Sequence, residues 1–240
     1  MSTKNFIINP ILGLFLFFTG IPSIHALGTR AKGWMYVEKV KKLESRGIFF
    51  DSWEGIFQVV SYDKHEKCDK KNDECFTPVS KDLHFSINKK NTKVTEYLRQ
   101  QDVEGNFLIQ YRKHKFEKIS LSTKFEILDI VEITPAPPAD FPRKMAVKKT
   151  GYRNLTVDGE ILDLSNQGWC IKTYEGLYRD RKTGKVVPFS VTQKSMAEYI
   201  FSAMKSKAPY NMGVSRALVK GFRKSHNDIF EINYDEKPSL

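Results

Sequence analysis

Apolar and polar residues alternate through most of this chain, and the alternation gives way to a helical period at two corresponding places. Period two predicts strands over Trp34–Leu43, Gly47–Val60, His84–Ile87, Phe107–Lys113 and Phe125–Ile133, then again over Leu155–Leu164, Gly168–Asp180, Val186–Thr192, Met212–Val219 and Ile229–Tyr234. Between the third and fourth strand of each set the period becomes 3.6. Val94, Tyr97 and Leu98 form one stripe, near Thr92–Gln101, and Met196, Tyr199 and Ile200 form the other. The second helix carries a capping-box pattern, Ser195 with Glu198, and Pro209 closes it.

The two sets read as one unit written twice. Gly47-Ile48-Phe49-Phe50-Asp51-Ser52-Trp53-Glu54-Gly55 returns as Gly168-Trp169-Cys170-Ile171-Lys172-Thr173-Tyr174-Glu175-Gly176. Gly28 and Arg30 match Gly151 and Arg153 upstream, while Phe85-Ser86-Ile87 matches Phe189-Ser190-Val191 downstream and Phe125-Glu126-Ile127 matches Phe230-Glu231-Ile232 at the end. Features recurring in the same order at similar spacing mark a duplication. A β-β-β-α-β-β order fits the OB-fold, so the expected class is mainly β with one short helix per domain, as two tandem small OB-like β-barrels.

Residues 1–26 read as a signal peptide, with Lys4 near the start, an apolar run from Ile11 to Ile21, Pro22 and a small residue at Ala26. The first repeat then spans 27–133 and the second 151–240. Residues 134–150 form the linker, proline-rich at Thr134–Pro142 and expected to be a semi-rigid spacer. A charged insertion at 61–82 has no counterpart in the second copy.

Within the nonapeptide, Gly47 and Gly168 are expected to supply a tight turn, and Gly55 and Gly176 a bulge or corner in the second strand. Trp53 and Tyr174 read as core or barrel-face aromatics, with ligand stacking the rival reading. Glu54 and Glu175 could pair with Arg30 and Arg153, as a salt bridge or as part of a site.

Catalytic patterns are not evident. No H-E-x-x-H, G-x-S-x-G or G-x-G-x-x-G occurs, and one motif carboxylate per copy makes no acid/base pair. No cofactor and no metal are expected. Cys68 and Cys75, in the insertion of an exported protein, are expected to form a disulfide. A zinc site with His65 and His84 fits the spacing poorly, and Cys170 reads as a free thiol.

The chain carries a net charge of +11 with a pI near 9.4. Basic residues recur in the connection between the fourth and fifth strands: Arg112, Lys113, Lys115 and Lys118 in the first copy, Lys220, Arg223 and Lys224 in the second. Loops at this place often carry the binding surface of OB-like folds, so an anionic partner is expected there.

The pattern Gly-x-Arg, an apolar strand, Ser/Asn-x-Gly, then Lys-Thr and Trp/Tyr-Glu-Gly resembles a group of small exported or membrane-anchored bacterial envelope proteins of uncharacterised function. Asp51-Ser52 departs from it where Lys172-Thr173 fits. Some of that group carry dehydrogenase names, which no motif here supports. The resemblance implies the bacterial envelope. The expected function is a non-catalytic binding or structural module of the cell envelope, periplasmic or at the cell surface; the alternative is an exported enzyme of unseen reaction. Expected partners are an envelope protein, an acidic polysaccharide or an anionic lipid surface. Export argues against nucleic acid, and no span remains after cleavage.

Overall fold

The computed structural model describes residues 29–46, 52–64, 76–100, 104–116, 120–167, 173–219 and 221–234. The expected signal peptide, Gly47, Cys68, Cys75, Lys118, Gly168, Cys170 and Lys220 lie outside them. The first half contains β1 (Thr29–Arg46), β2 (Ser52–Lys64), β3 (Phe76–Asn88), α1 (Thr92–Gln100), β4 (Glu104–His114) and β5 (Phe125–Glu132). After a short β6 (Lys144–Ala146), the second half repeats the order as β7 (Arg153–Gln167), β8 (Thr173–Asp180), β9 (Val186–Val191), α2 (Lys194–Ala203), β10 (Tyr210–Arg216) and β11 (Asn227–Asn233).

Each half is mainly β with one short helix, and its five principal strands close into a ring. In the first half β1 pairs with β2 and β4, β2 with β3, β3 with β5, and β5 returns to β4. In the second half β7, β8, β9, β11 and β10 follow the same circuit.

The motif strands sit in the same register in both rings. Gly55 lies between Leu43 and Phe85, as Gly176 lies between Leu164 and Phe189. The expected irregularity is present, but on the facing strand: β1 shifts register between Val40 and Lys42, and β7 between Ile161 and Asp163. The bulge carbonyl and the phenylalanine ring together leave no room for a side chain. A Cβ on Gly55 would come within 2.4 Å of the Phe85 ring and 2.5 Å of the Lys42 carbonyl oxygen. On Gly176 it would come within 2.6 Å of Phe189 and 2.4 Å of the Asp163 carbonyl oxygen. Glycine stands there because of close approach rather than an unusual dihedral.

Four sequence expectations need correction. The charged insertion is an extension of a hairpin, with β2 and β3 paired out to Lys64 and Phe76 by the backbone ladder, and exposed Lys81 and Asp63 form a 2.5 Å ion pair across it. The second helix begins after Gln193, with no side-chain cap, and Glu198 pairs instead with Lys194 at 3.2 Å. The last strand of the second half is offset by three residues from the triplet match Phe125-Glu126-Ile127 with Phe230-Glu231-Ile232. Ser86 pairs with Glu126 and Ser190 with Asp228, so Glu126 corresponds to Asp228 rather than to Glu231. Leu218 and Val219, expected at the end of a strand, lie beyond β10 and are exposed.

The segment over 134–150 packs on the second half. Phe141 lies 4.8 Å from Tyr199, the Tyr199 hydroxyl donates to the Pro142 carbonyl at 2.5 Å, and β6 pairs with β11.

Two hydrophobic clusters fill the rings. One contains Phe57, Phe85, Ile87, Val94 and Phe107, and the other contains Leu164, Phe189, Met196, Ile200 and Tyr210. The second cluster also takes in Leu108 of β4, with Trp34 and Tyr36 of β1 packed against it. The halves therefore share a seam. β1 pairs with β7 from Ala31–Gln167 to Met35–Asp163, Tyr36 donates to the Met204 carbonyl at 2.8 Å, and Arg179 donates to the Tyr62 hydroxyl at 3.2 Å. A cavity of about 200 Å³ lies along this seam, with Tyr36, Tyr62, Asp163, Arg179 and Lys207 among its lining. Among the described residues, no helix is long and apolar enough to cross a membrane.

Candidate anion-binding site

The basic residues singled out in the sequence fall into two kinds. Arg112 and Lys113 lie on β4 itself, with Lys115 just beyond it, while Arg223 and Lys224 lie in the loop between β10 and β11. Arg112 is 3.4 Å from Glu126, whose carboxylate also meets buried His114 at 2.7 Å. Arg223 turns inward toward buried Asp228, at 3.6 Å, with its side chain 16% exposed. Burial pushes the Asp228 carboxyl up, while hydrogen bonds from Thr150 and Thr192 and the charge of Arg223 act against this. Both arginines thus face carboxylates at matching places in β5 and β11, Arg223 turned inward and Arg112 with its side chain 32% exposed.

Lys113 and Lys224 behave differently. Burial lowers the Lys113 ammonium pKa, and repulsion from Arg30, Lys224 and Lys124 lowers it further. Three of these cations belong to the first half and Lys224 to the second, so the β1–β7 seam gathers cations from both halves. Arg30, Lys124 and Lys224 are exposed, whereas half-buried Lys113 lies over the Phe125 ring at 4.8 Å. Lys224 donates to the Gln167 side chain at the end of β7.

The glutamates of the repeated motif hold the bases of these loops. Glu54 and Glu175 do not pair with Arg30 and Arg153. Ser86 Oγ donates to Glu54 at 2.7 Å and accepts from the Thr123 backbone N–H at 3.0 Å. Ser190 Oγ donates to Glu175 at 2.6 Å and accepts from the Ser225 N–H at 3.2 Å. Glu54 takes two further bonds, from Ser52 Oγ at 2.5 Å and the Ser122 N–H at 3.3 Å. A buried carboxylate needs such donors. Each motif glutamate therefore fixes, through one serine, the residue where the loop between the last two strands re-enters the sheet.

Trp53 and Tyr174 are half-buried against the ends of their helices. Arg99 lies over the Trp53 ring at 5.5 Å, and Phe201 meets Tyr174 edge-on at 6.3 Å. Sequence reasoning missed the exposed rings beside the cations. Phe116 is 76% exposed and Phe222 77%, one in each loop, with Leu218 and Val219 exposed near the second. Their signal was an aromatic among lysines and arginines at the same place in both copies. No group of three or more His, Cys, Asp or Glu side chains among the described residues could hold a metal.

No curated protein is similar to this chain. Among solved structures it is similar to a deletion mutant of the single-stranded DNA-binding protein from Thermus aquaticus, at 8% identity and a TM-score of 0.27, over 90% of this chain and 98% of that one. That finding corrects the expectation on partners. The exclusion of nucleic acid is overturned, and the envelope protein, acidic polysaccharide or anionic lipid surface expected in its place is set aside with it. The exclusion rested on export alone, argued from residues outside those described, and on no property of the surface. At this TM-score the likeness carries no further. A family model matches residues 28–136 and 150–239, which are the two copies of the repeat. The chain belongs to the family described as Domain of unknown function (DUF8785).

Proposed function

We propose that this chain is a non-catalytic binding module, built of two tandem OB-like barrels that engage one anionic ligand across their seam. The observation that carries this reading is the convergence of Arg30, Lys113, Lys124 and Lys224 from both halves: Ala31, next to Arg30, pairs with both Lys113 and Gln167, Lys224 donates to Gln167, and the Lys124 carbonyl accepts from the His114 N–H beside Lys113 at 2.8 Å. Like charges held together raise the energy of the free protein, and an anion lying over them relieves it. The Ser–Glu pairs serve this role by holding both loops at their bases.

The test is binding of a short inorganic polyphosphate to the full chain across ionic strengths. Affinity is expected to fall steeply as salt rises, and K113Q/K224Q to weaken binding and flatten the salt dependence. Arg112 and Arg223 serve as controls in reverse, because each is paired to a carboxylate and its loss should act on stability first. Binding indifferent to salt and to K113Q/K224Q would refute the proposal.

A further inference from the structure

We infer that the anionic ligand of this surface is a single-stranded nucleic acid, an inference that rests on the polyanion reading above. The cations account for a chain of negative charge but leave Phe116 and Phe222 unexplained. Each ring is more than three-quarters exposed, and each stands a few residues from a lysine of the cluster, Phe116 from Lys113 and Phe222 from Lys224. A single exposed ring is ordinary on a protein surface; what asks for a ligand is that an exposed ring stands beside the cations in the loop between the last two strands of both halves.

A ligand that satisfies both features must carry phosphates for the cations and flat apolar faces for the rings. A single strand offers both at every nucleotide, and stacking of a base on an aromatic side chain tolerates any sequence. A duplex buries its base faces, and a polyanion without bases has none. The two loops occupy matching places in the two rings, so one strand can meet the same combination twice as it crosses the seam. Leu218 and Val219, exposed in the second loop, make an anionic bilayer the competing occupant. A bilayer would draw on these aliphatic side chains, whereas a strand would draw on the phenylalanines of both loops.

The experiment compares binding of the full chain to labelled dT15, to an abasic oligodeoxyribonucleotide of the same length, to a duplex, and to vesicles containing phosphatidylglycerol. With four cations engaged, affinity for dT15 is expected to drop roughly 50-fold between 50 and 200 mM salt. The abasic strand should bind more weakly than dT15. F116A and F222A should each weaken dT15 by about five- to a hundredfold and leave the abasic strand unchanged. Both rings are exposed, so these variants keep the core intact. Equal binding of dT15 and the abasic strand, unmoved by either variant, would overturn the nucleic-acid assignment and leave the polyanion reading standing. Binding to the vesicles but not to dT15, lost on changing Leu218 and Val219 to Ser, would overturn it in favour of a lipid surface. Salt-indifferent binding, or none to any probe, would bring down the polyanion reading as well.

Discussion

Ser190 donates its hydroxyl to the buried carboxylate of Glu175 at 2.6 Å, and the same oxygen accepts the Ser225 backbone N–H. Ser86, Glu54 and Thr123 repeat the arrangement in the first half. Because the serine is at once donor and acceptor, it ties the buried glutamate of one strand to a distant loop. Removing it leaves a buried carboxylate short of a donor and a loop N–H without its acceptor. S86A and S190A are each expected to cost about 1–3 kcal/mol, measured by urea unfolding, with the loops that carry Phe116 and Phe222 more open to proteolysis. Wild-type stability in both variants would show that the anchor is dispensable.

Gly55 and Gly176 face a backbone carbonyl on one side and a phenylalanine ring on the other. The ring can shift, but the carbonyl belongs to a bulge within a paired strand and cannot do so cheaply. G55A and G176A are each expected to destabilise by about 1–3 kcal/mol. Denaturant midpoints for the two variants should fall by similar amounts, since the geometry is the same twice.

Asp163 sits at the β7 bulge and lines the seam cavity. Burial pushes its carboxyl up to about 7, against a hydrogen bond from the Leu177 backbone and the charge of Lys224. A folded-state pKa above the unfolded value means that the folded chain holds this proton more tightly. Its contribution to stability is therefore present at about pH 4 and is lost as pH rises toward 7. D163N keeps the shape without the charge. It should match the wild type near pH 4 and exceed it at pH 8 by about 1–2 kcal/mol, after allowance for the residue's remaining exposure. A gain at pH 4 equal to that at pH 8 would contradict this assignment.

A fragment of residues 134–240 contains the second ring, its helix and the segment docked through Phe141, Pro142 and β6. It should fold with a single cooperative transition. It should also melt below the intact chain, because it lacks Leu108, Trp34 and Tyr36 against its core and leaves β7 unpaired where β1 lay. Calorimetry of fragment and full chain decides this; a fragment with no transition would mean that the second core depends on the first.

The duplication was legible because its marks are local and chemically demanding: a glycine with no room for a side chain, a glutamate beside it, and a phenylalanine–serine pair on the next strand. The seam was not legible, since alternation in β1 says that one face is buried without saying what covers it. A triplet match also misled. Phe230-Glu231-Ile232 resembles Phe125-Glu126-Ile127, yet a bulge in each ladder sets the pairing and places Asp228 opposite Ser190. The candidate site was half readable. Recurrent basic residues pointed to one pair of loops, but only packing reveals that Arg112 and Arg223 face carboxylates while Lys113 and Lys224 lie near one another.

The claim that both halves act on one ligand is tested most directly by stoichiometry. Calorimetric titration of the full chain with a short polyphosphate should give one ligand per chain, and K113Q and K224Q should each weaken that single event without changing its stoichiometry. Two ligands per chain, with each substitution abolishing one site and sparing the other, would contradict the account and make the seam no more than a contact between two separate binding surfaces.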